Sequence, residues 1–230
     1  VFDTGKIESP ATTCVPGHCF DSRTRYDYSV VLWDENGTES EESNGFFETG
    51  IEKNEICAKW IDPESPNREE IVRNDRIYHK ASYLTKKFSL ERTENARLYI
   101  TAHGIYDAYI NGKHVDGYLL SPGTSQYNKR LQVQTYNVSE LVKSGENEII
   151  VTLGDGWWRG TCGYNADQNV FGDDVALLCQ LEVCGEVALV SDGSWMASQS
   201  GPLGFNDTMR GEEYDATRVI SDWHAVEVKD

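Results

Sequence analysis

The segment GDGWWRGTCGYNADQNVFGDD, Gly154 to Asp174, concentrates the side chains best suited to chemistry in this chain. It joins two apolar runs, is too long for a hairpin turn, and mixes glycines with adjacent tryptophans, an arginine and aspartates. Aromatic planes stack on the apolar faces of sugar rings, while Arg, Asn and Asp satisfy hydroxyls, so the composition suits a carbohydrate. Long loops on a rigid β scaffold often carry function. Trp157 and Trp158 could equally close one end of a sandwich. Neighbours in an extended chain face opposite ways, so one of the two is expected to meet ligand and the other core. A second loop, PGTSQYNKR (Pro122 to Arg130), could sit beside the first, and its Tyr127 and Asn128 suit a sugar or a cation.

Signs of self-contained catalysis are missing. The chain has no Gly-x-Ser-x-Gly elbow, no phosphate-cradling glycine loop and no His-Glu-x-x-His. His18, His79, His103, His114 and His224 are scattered without ligand spacing, and His103 before Gly104 reads as a structural residue. Glycoside hydrolysis needs two carboxylates across a cleft. Asp173-Asp174 and Glu212-Glu213 are adjacent pairs, and adjacent strand residues point to opposite faces. None of Cys14, Cys19, Cys57, Cys162, Cys179 and Cys184 forms a Cys-x-x-Cys or a zinc spacing. An even count permits disulfides, but reduced thiols are favoured, with Cys179 and Cys184 acting as small apolar residues in or beside a strand. Asn36, Asn137 and Asn206 head glycosylation sequons.

A net charge of −17 argues against a nucleic-acid partner, which requires clustered Lys and Arg. The acidity serves solubility, or lets some carboxylates converge on a cation such as calcium. No stretch approaches the length of a membrane-spanning helix, so no membrane partner is expected. The first residues carry no signal-peptide pattern, which leaves the compartment open.

The elements that position these loops read as strands. In RYDYSVVLW, Tyr26, Tyr28, Val30 and Leu32 alternate, the DENG turn (Asp34 to Gly37) follows, and a second strand resumes near Phe46 and Phe47. This hairpin looks like the last one of a fibronectin type III sandwich, whose earlier strands need more residues than precede Arg25. The chain is thus expected to begin partway through a domain at 1–50, with an edge open to pairing. Residues 51–78, acidic and with Pro63 and Pro66, read as a linker in which Trp60 and Ile61 anchor packing. Strands follow at Ser82 to Leu90, Ala96 to Ala102, Ile105 to Gly112, Arg130 to Val138, Asn147 to Gly154 and Val175 to Val183. Asn111-Gly112 marks a tight hairpin because both residues tolerate positive φ. Ser139 to Asn147 reads as one helical turn, capped by Ser139 and stopped by Gly145. Many short strands and no long helical period mean an all-β protein: a partial fibronectin type III-like sandwich, then a β jelly roll over 79–230.

The ordered set YINGK, YNKR, QTY, GEN and LGDGWWRG, closed by GEEYDATRVISDW, resembles the N-terminal β-sandwich region of bacterial α-L-rhamnosidases of glycoside hydrolase family 78. YSVVLWDENGTESEESNGFFETG resembles the fibronectin-like segment before it. The resemblance implies a non-catalytic accessory fragment, because that family's catalytic acids lie in an (α/α)6 barrel further along the polypeptide. It names that catalytic domain as one partner. In some relatives the jelly roll is similar to a family-67 carbohydrate-binding module that holds L-rhamnose through calcium. Terminal L-rhamnose or rhamnosylated glycans are then the expected ligands, with calcium as cofactor. Trp157 or Trp158 would stack beside Tyr127, while Arg159 and Asn165 would bind hydroxyls. Asn128, Asp155, Asp173 and Asp174 are the candidate calcium ligands. Relatives of that family often carry Trp where this chain has Thr124. The alternative is a structural module that packs on the catalytic barrel, shapes its cleft and shows an exposed apolar patch.

Overall fold

The computed structural model describes residues 1–66 and 68–229. They form two compact units, Val1–Glu55 and one from Ile56 onward. The smaller unit is built on one antiparallel ribbon, β1 (Arg25–Val30) with β2 (Ser43–Glu48), in register from Arg25 opposite Glu48 to Val30 opposite Ser43. Pairing puts Tyr26 beside Phe47, and the rings stack at 5.4 Å with Phe20 edge-on to both. The expected turn is present: Asp34 accepts from Gly37 N through its carbonyl and from Asn36 N and Thr38 N through its carboxylate.

In the larger unit the strands run β3 (Trp60–Asp62), β4 (Glu70–Arg73), β5 (Arg76–His79), β6 (Ser82–Leu90), β7 (Ala96–His103), β8 (Ile105–Ile110) and β9 (Lys113–His114). After β10 (Gln134–Asn137) and β11 (Gly145–Gly154) comes one short helix, α1 (Gly156–Arg159). The chain continues through β12 (Ala176–Val183), β13 (Glu186–Val190), β14 (Met196–Ser198), β15 (Leu203–Asp207), β16 (Gly211–Tyr214), β17 (His224–Ala225) and β18 (Glu227–Lys229). One sheet has the order β10-β7-β12-β3-β18, with β13 also on β12; the other runs β17-β14-β6-β11-β8-β9. Strand makes up 43% of the described residues and helix 3%, so the fold is all-β.

Period-2 burial explains the layering. Ile149, Val151 and Leu153 of β11 and Tyr106, Ala108 and Ile110 of β8 point inward from one sheet. Leu98, Ile100, Leu177, Cys179 and Leu181 point inward from the other, and all belong to one core cluster. Burial pushes the Cys179 thiol up to about 12, so it behaves as a small apolar residue. Cys184 differs from expectation: it is exposed, with φ 53, at the turn between β12 and β13. Asn111 and Gly112 both take positive φ in the β8–β9 turn, as their types predict.

Two boundaries and one cap differ from the sequence reading. The segment 51–78 is not a linker, because the division falls after Glu55 and residues from Ile56 belong to the larger unit. There β3 pairs with β12 and β18, and Ile61 is fully buried in the core. Strand β10 begins only at Gln134, since it lies at the sheet edge and pairs with β7 alone. The turn after it is helical, with Val138 O accepting from Leu141 N and Val142 N, but Ser139 Oγ accepts from Ala96 N instead of capping it.

Candidate functional site

The loop from Gly154 to Asp174 leaves the central strand β11 and returns into β12. Its start is pressed against the β7–β8 connection. A Cβ on Gly104, whose φ is +116, would lie 2.3 Å from Gly154 O, so only glycine allows this approach. The chain then turns into α1, which sends Trp157, Trp158 and Arg159 in successive helical directions instead of the alternating ones of a strand.

Trp158 points inward. Its ring lies parallel to His103 at 3.9 Å, and Trp60 covers the other side of that imidazole at 4.1 Å. Tyr127 and Phe171 meet Trp158 at 5.6 and 6.3 Å, and a Cβ on Gly172 would sit 2.5 Å from its Nε1. That Nε1 is buried and has no hydrogen-bond partner among the described residues. Burial between two indoles drives the His103 pKa down to about 4, with Lys229 adding to the shift, so the ring stays neutral. The expectation that the loop at 122–130 lies beside the 154–174 loop is met through Tyr127. Its own hydroxyl, however, donates to Gly123 O at 2.7 Å and the residue is buried. Trp157 is half-buried.

Arg159 is not a hydroxyl-binding residue in this arrangement. It is 1% exposed, and its Nη1 and Nη2 make a two-pronged contact with Glu64 at 2.5 and 2.8 Å. Nε and Nη2 donate to Asp155 Oδ1 at 2.9 and 2.6 Å. Burial alone would disfavour its charge, but hydrogen bonds and charge from Glu64 and Asp155 prevail and raise its pKa. The second Asp155 oxygen faces His79 Nδ1 at 3.2 Å, and Asp155 N donates to Asn206 Oδ1 at 3.0 Å. Around this core, Gln199 and Arg68 each reach Glu64 at 3.3 Å. Asp207 accepts from Thr161 N at 2.7 Å.

The four candidate calcium ligands do not converge. Asp155 is buried and engaged by Arg159 and His79, Asp173 is exposed with Arg68 at 3.6 Å, Asp174 pairs with Lys229, and Asn128 is exposed. Cations already face the three carboxylates, and among the described residues no three His, Cys, Asp or Glu side chains form a metal-holding group. The donor set therefore does not fit calcium. Asn165 lies exposed in the turn closed by the Cys162–Asp167 backbone pair, away from the buried network.

Sequence reasoning missed Glu64, His79, Asn206 and Asp207. Glu64 and His79 sit in or next to the segment taken for a linker, and nothing in their spacing marks them as partners of a loop 76 to 95 residues later. Asn206 carried the misleading signal of a sequon; its side chain is buried and turned toward Asp155.

A family model described as the alpha-L-rhamnosidase N-terminal domain matches residues 91–230, and one described as a Rha78A-like N-terminal immunoglobulin domain matches 1–53. An alpha-L-rhamnosidase of Formosa agariphila is 36% identical over 234 residues, covering 97% of this chain and 25% of the relative. One from Alteromonas sp. (strain LOR) is 31% identical, covering 96% of the chain and 25% of the relative. The chain thus spans about a quarter of the length of the curated relatives it matches. Among solved structures, native alpha-L-rhamnosidase from Aspergillus terreus is similar at 30% identity and TM-score 0.77, over 94% of this chain and 26% of that one. The Streptomyces avermitilis alpha-L-rhamnosidase complexed with L-rhamnose matches at TM-score 0.78 and 21% identity, over 99% and 39% of the two chains, which speaks for the fold alone.

Proposed function

The chain belongs to the alpha-L-rhamnosidase N-terminal domain family, and from that premise we propose that it is a non-catalytic accessory module of an α-L-rhamnosidase, supporting a catalytic region elsewhere in the polypeptide. One observation carries this reading: the loop richest in binding chemistry spends its charged groups internally. Arg159 and Asp155 saturate each other, Glu64 and His79, so they hold the loop to the sandwich. A buried charge whose donors are all engaged has nothing left for a sugar hydroxyl.

A second reading, binding of terminal L-rhamnose, is favoured by Trp157, which is half-buried on the same loop. Calorimetric titration with L-rhamnose, with calcium and after chelation, separates the two. The accessory reading expects no heat at millimolar sugar in either buffer and no hydrolysis of an aryl rhamnoside. Calcium-dependent heat would move the assignment to a lectin-like module.

A further inference from the structure

Tyr118, Leu119 and Leu120 are 74%, 85% and 47% exposed, and among the described residues they are the only three large apolar side chains in a row so exposed. A disordered tip would let such residues fold back onto the sandwich. This one is held outward. His114 contacts the Asp107 carboxylate with one ring nitrogen and Asp116 O with the other. Asp116 Oδ1 then accepts from Tyr118 N at 2.7 Å. On the far side Tyr106 N donates to Ser121 O at 2.7 Å and Gly123 N to Leu120 O at 2.9 Å. Leu120 itself sits at φ 60, a left-handed conformation that a bulky residue adopts only when its surroundings impose it.

We propose that the Tyr118–Leu120 tip docks into an apolar pocket on the remainder of the rhamnosidase polypeptide, an inference that rests on the accessory reading above. The size of the patch selects this occupant. A free partner needs an interface of roughly 1,000 Å² or more, far beyond three side chains. A second copy of the chain is further opposed by its net charge of −17. A tethered partner needs much less, because the linkage supplies an effective concentration of about millimolar. The relatives have such a tethered partner, since this chain matches a quarter of their length and its family model describes an N-terminal domain.

Hydroxyl-radical footprinting read by peptide mass spectrometry, on this chain alone and on the full-length protein that carries it, tests the proposal. The expected result is roughly tenfold less oxidation of Tyr118 and Leu119 in the full-length protein, as for an anchor cut off from water. Tyr164, fully exposed on another loop, serves as the reference. Unchanged labelling of Tyr118–Leu120 with protection elsewhere overturns the docking tip and spares the accessory reading. No new protection anywhere on the chain overturns both. Protection in the isolated chain that grows with its concentration overturns the tethered partner in favour of a second copy. As a second readout, Leu119→Ser should lower the melting temperature of the full-length protein and leave that of the chain alone unchanged.

Discussion

The 154–174 loop and the 116–121 loop leave the same sandwich and use their side chains in opposite ways. The first carries the residues that look most like a binding site, yet Arg159, Asp155, Trp158 and, from its neighbouring loop, Tyr127 all turn inward to partners. The second has a plain sequence, Gly-Tyr-Leu-Leu, and turns all three large side chains outward. Residue type states what a group is able to do. Whether the group is free to do it is decided by its tertiary partners.

The largest effect should come from removing the charge that holds the first loop. Arg159→Ala leaves Asp155 and Glu64 buried with only His79 and the more distant Arg68 beside them, and urea unfolding should register a loss of about 3–5 kcal/mol. A loss below about 1 kcal/mol would return Arg159 to the list of ligand-facing residues. The paired tryptophans give the next contrast. Trp158→Ala empties the space between His103, Tyr127 and Phe171 and should cost about 3–5 kcal/mol. Trp157→Ala should cost about 1 kcal/mol, because Trp157, half-buried like Trp158, has no ring partner among the described residues; equal costs would show that the ring contacts of Trp158 do not set the difference.

Two histidines sharpen the comparison through pH. His103, beside the first loop, is held near 4 when folded against 6.5 when free, so the unfolded chain binds the extra proton between those values. Its contribution is present above about pH 6.5 and is lost as pH falls toward about 4, on the order of 1–2 kcal/mol after allowing for partial exposure. His114, which clasps the second loop, has the opposite sign. Burial works against its charge, but Asp116 O and the Asp107 carboxylate prevail and raise its pKa. Its support is present below the unfolded value of 6.5 and disappears as pH rises past the raised one. Stability curves of His103→Asn and His114→Asn should flatten on the acidic and the neutral side respectively. The smallest effect belongs to the exposed tip: Leu119→Ser should change the stability of the chain alone by less than about 0.5 kcal/mol.

Much of the fold was legible because short-range rules govern it. The alternation in β1 and β8, the Asn111-Gly112 turn and the strand runs around Ile149 and Leu177 all express local periodicity and turn chemistry. The β3 strand was not legible, since three residues, Trp60–Asp62, among acidic and proline-containing sequence carry no period. The candidate site was legible only as a location. The expectation that the loop at 122–130 lies beside the 154–174 loop is met, through the contact of Tyr127 with Trp158. The roles inside it depended on Glu64 and His79, which no local pattern links to Arg159 and Asp155. The helical turn of α1 also replaced the strand alternation on which the Trp157 and Trp158 expectation was built.

We propose that the charge network of the 154–174 loop serves the fold rather than a ligand. A double-mutant cycle on Arg159→Met and Glu64→Met, read by urea unfolding of the chain, tests it most directly. Each single change should cost several kcal/mol and the double variant well below their sum, with a coupling above about 1.5 kcal/mol. Small single effects that add within about 0.5 kcal/mol would contradict it, and would leave Arg159 free for another partner.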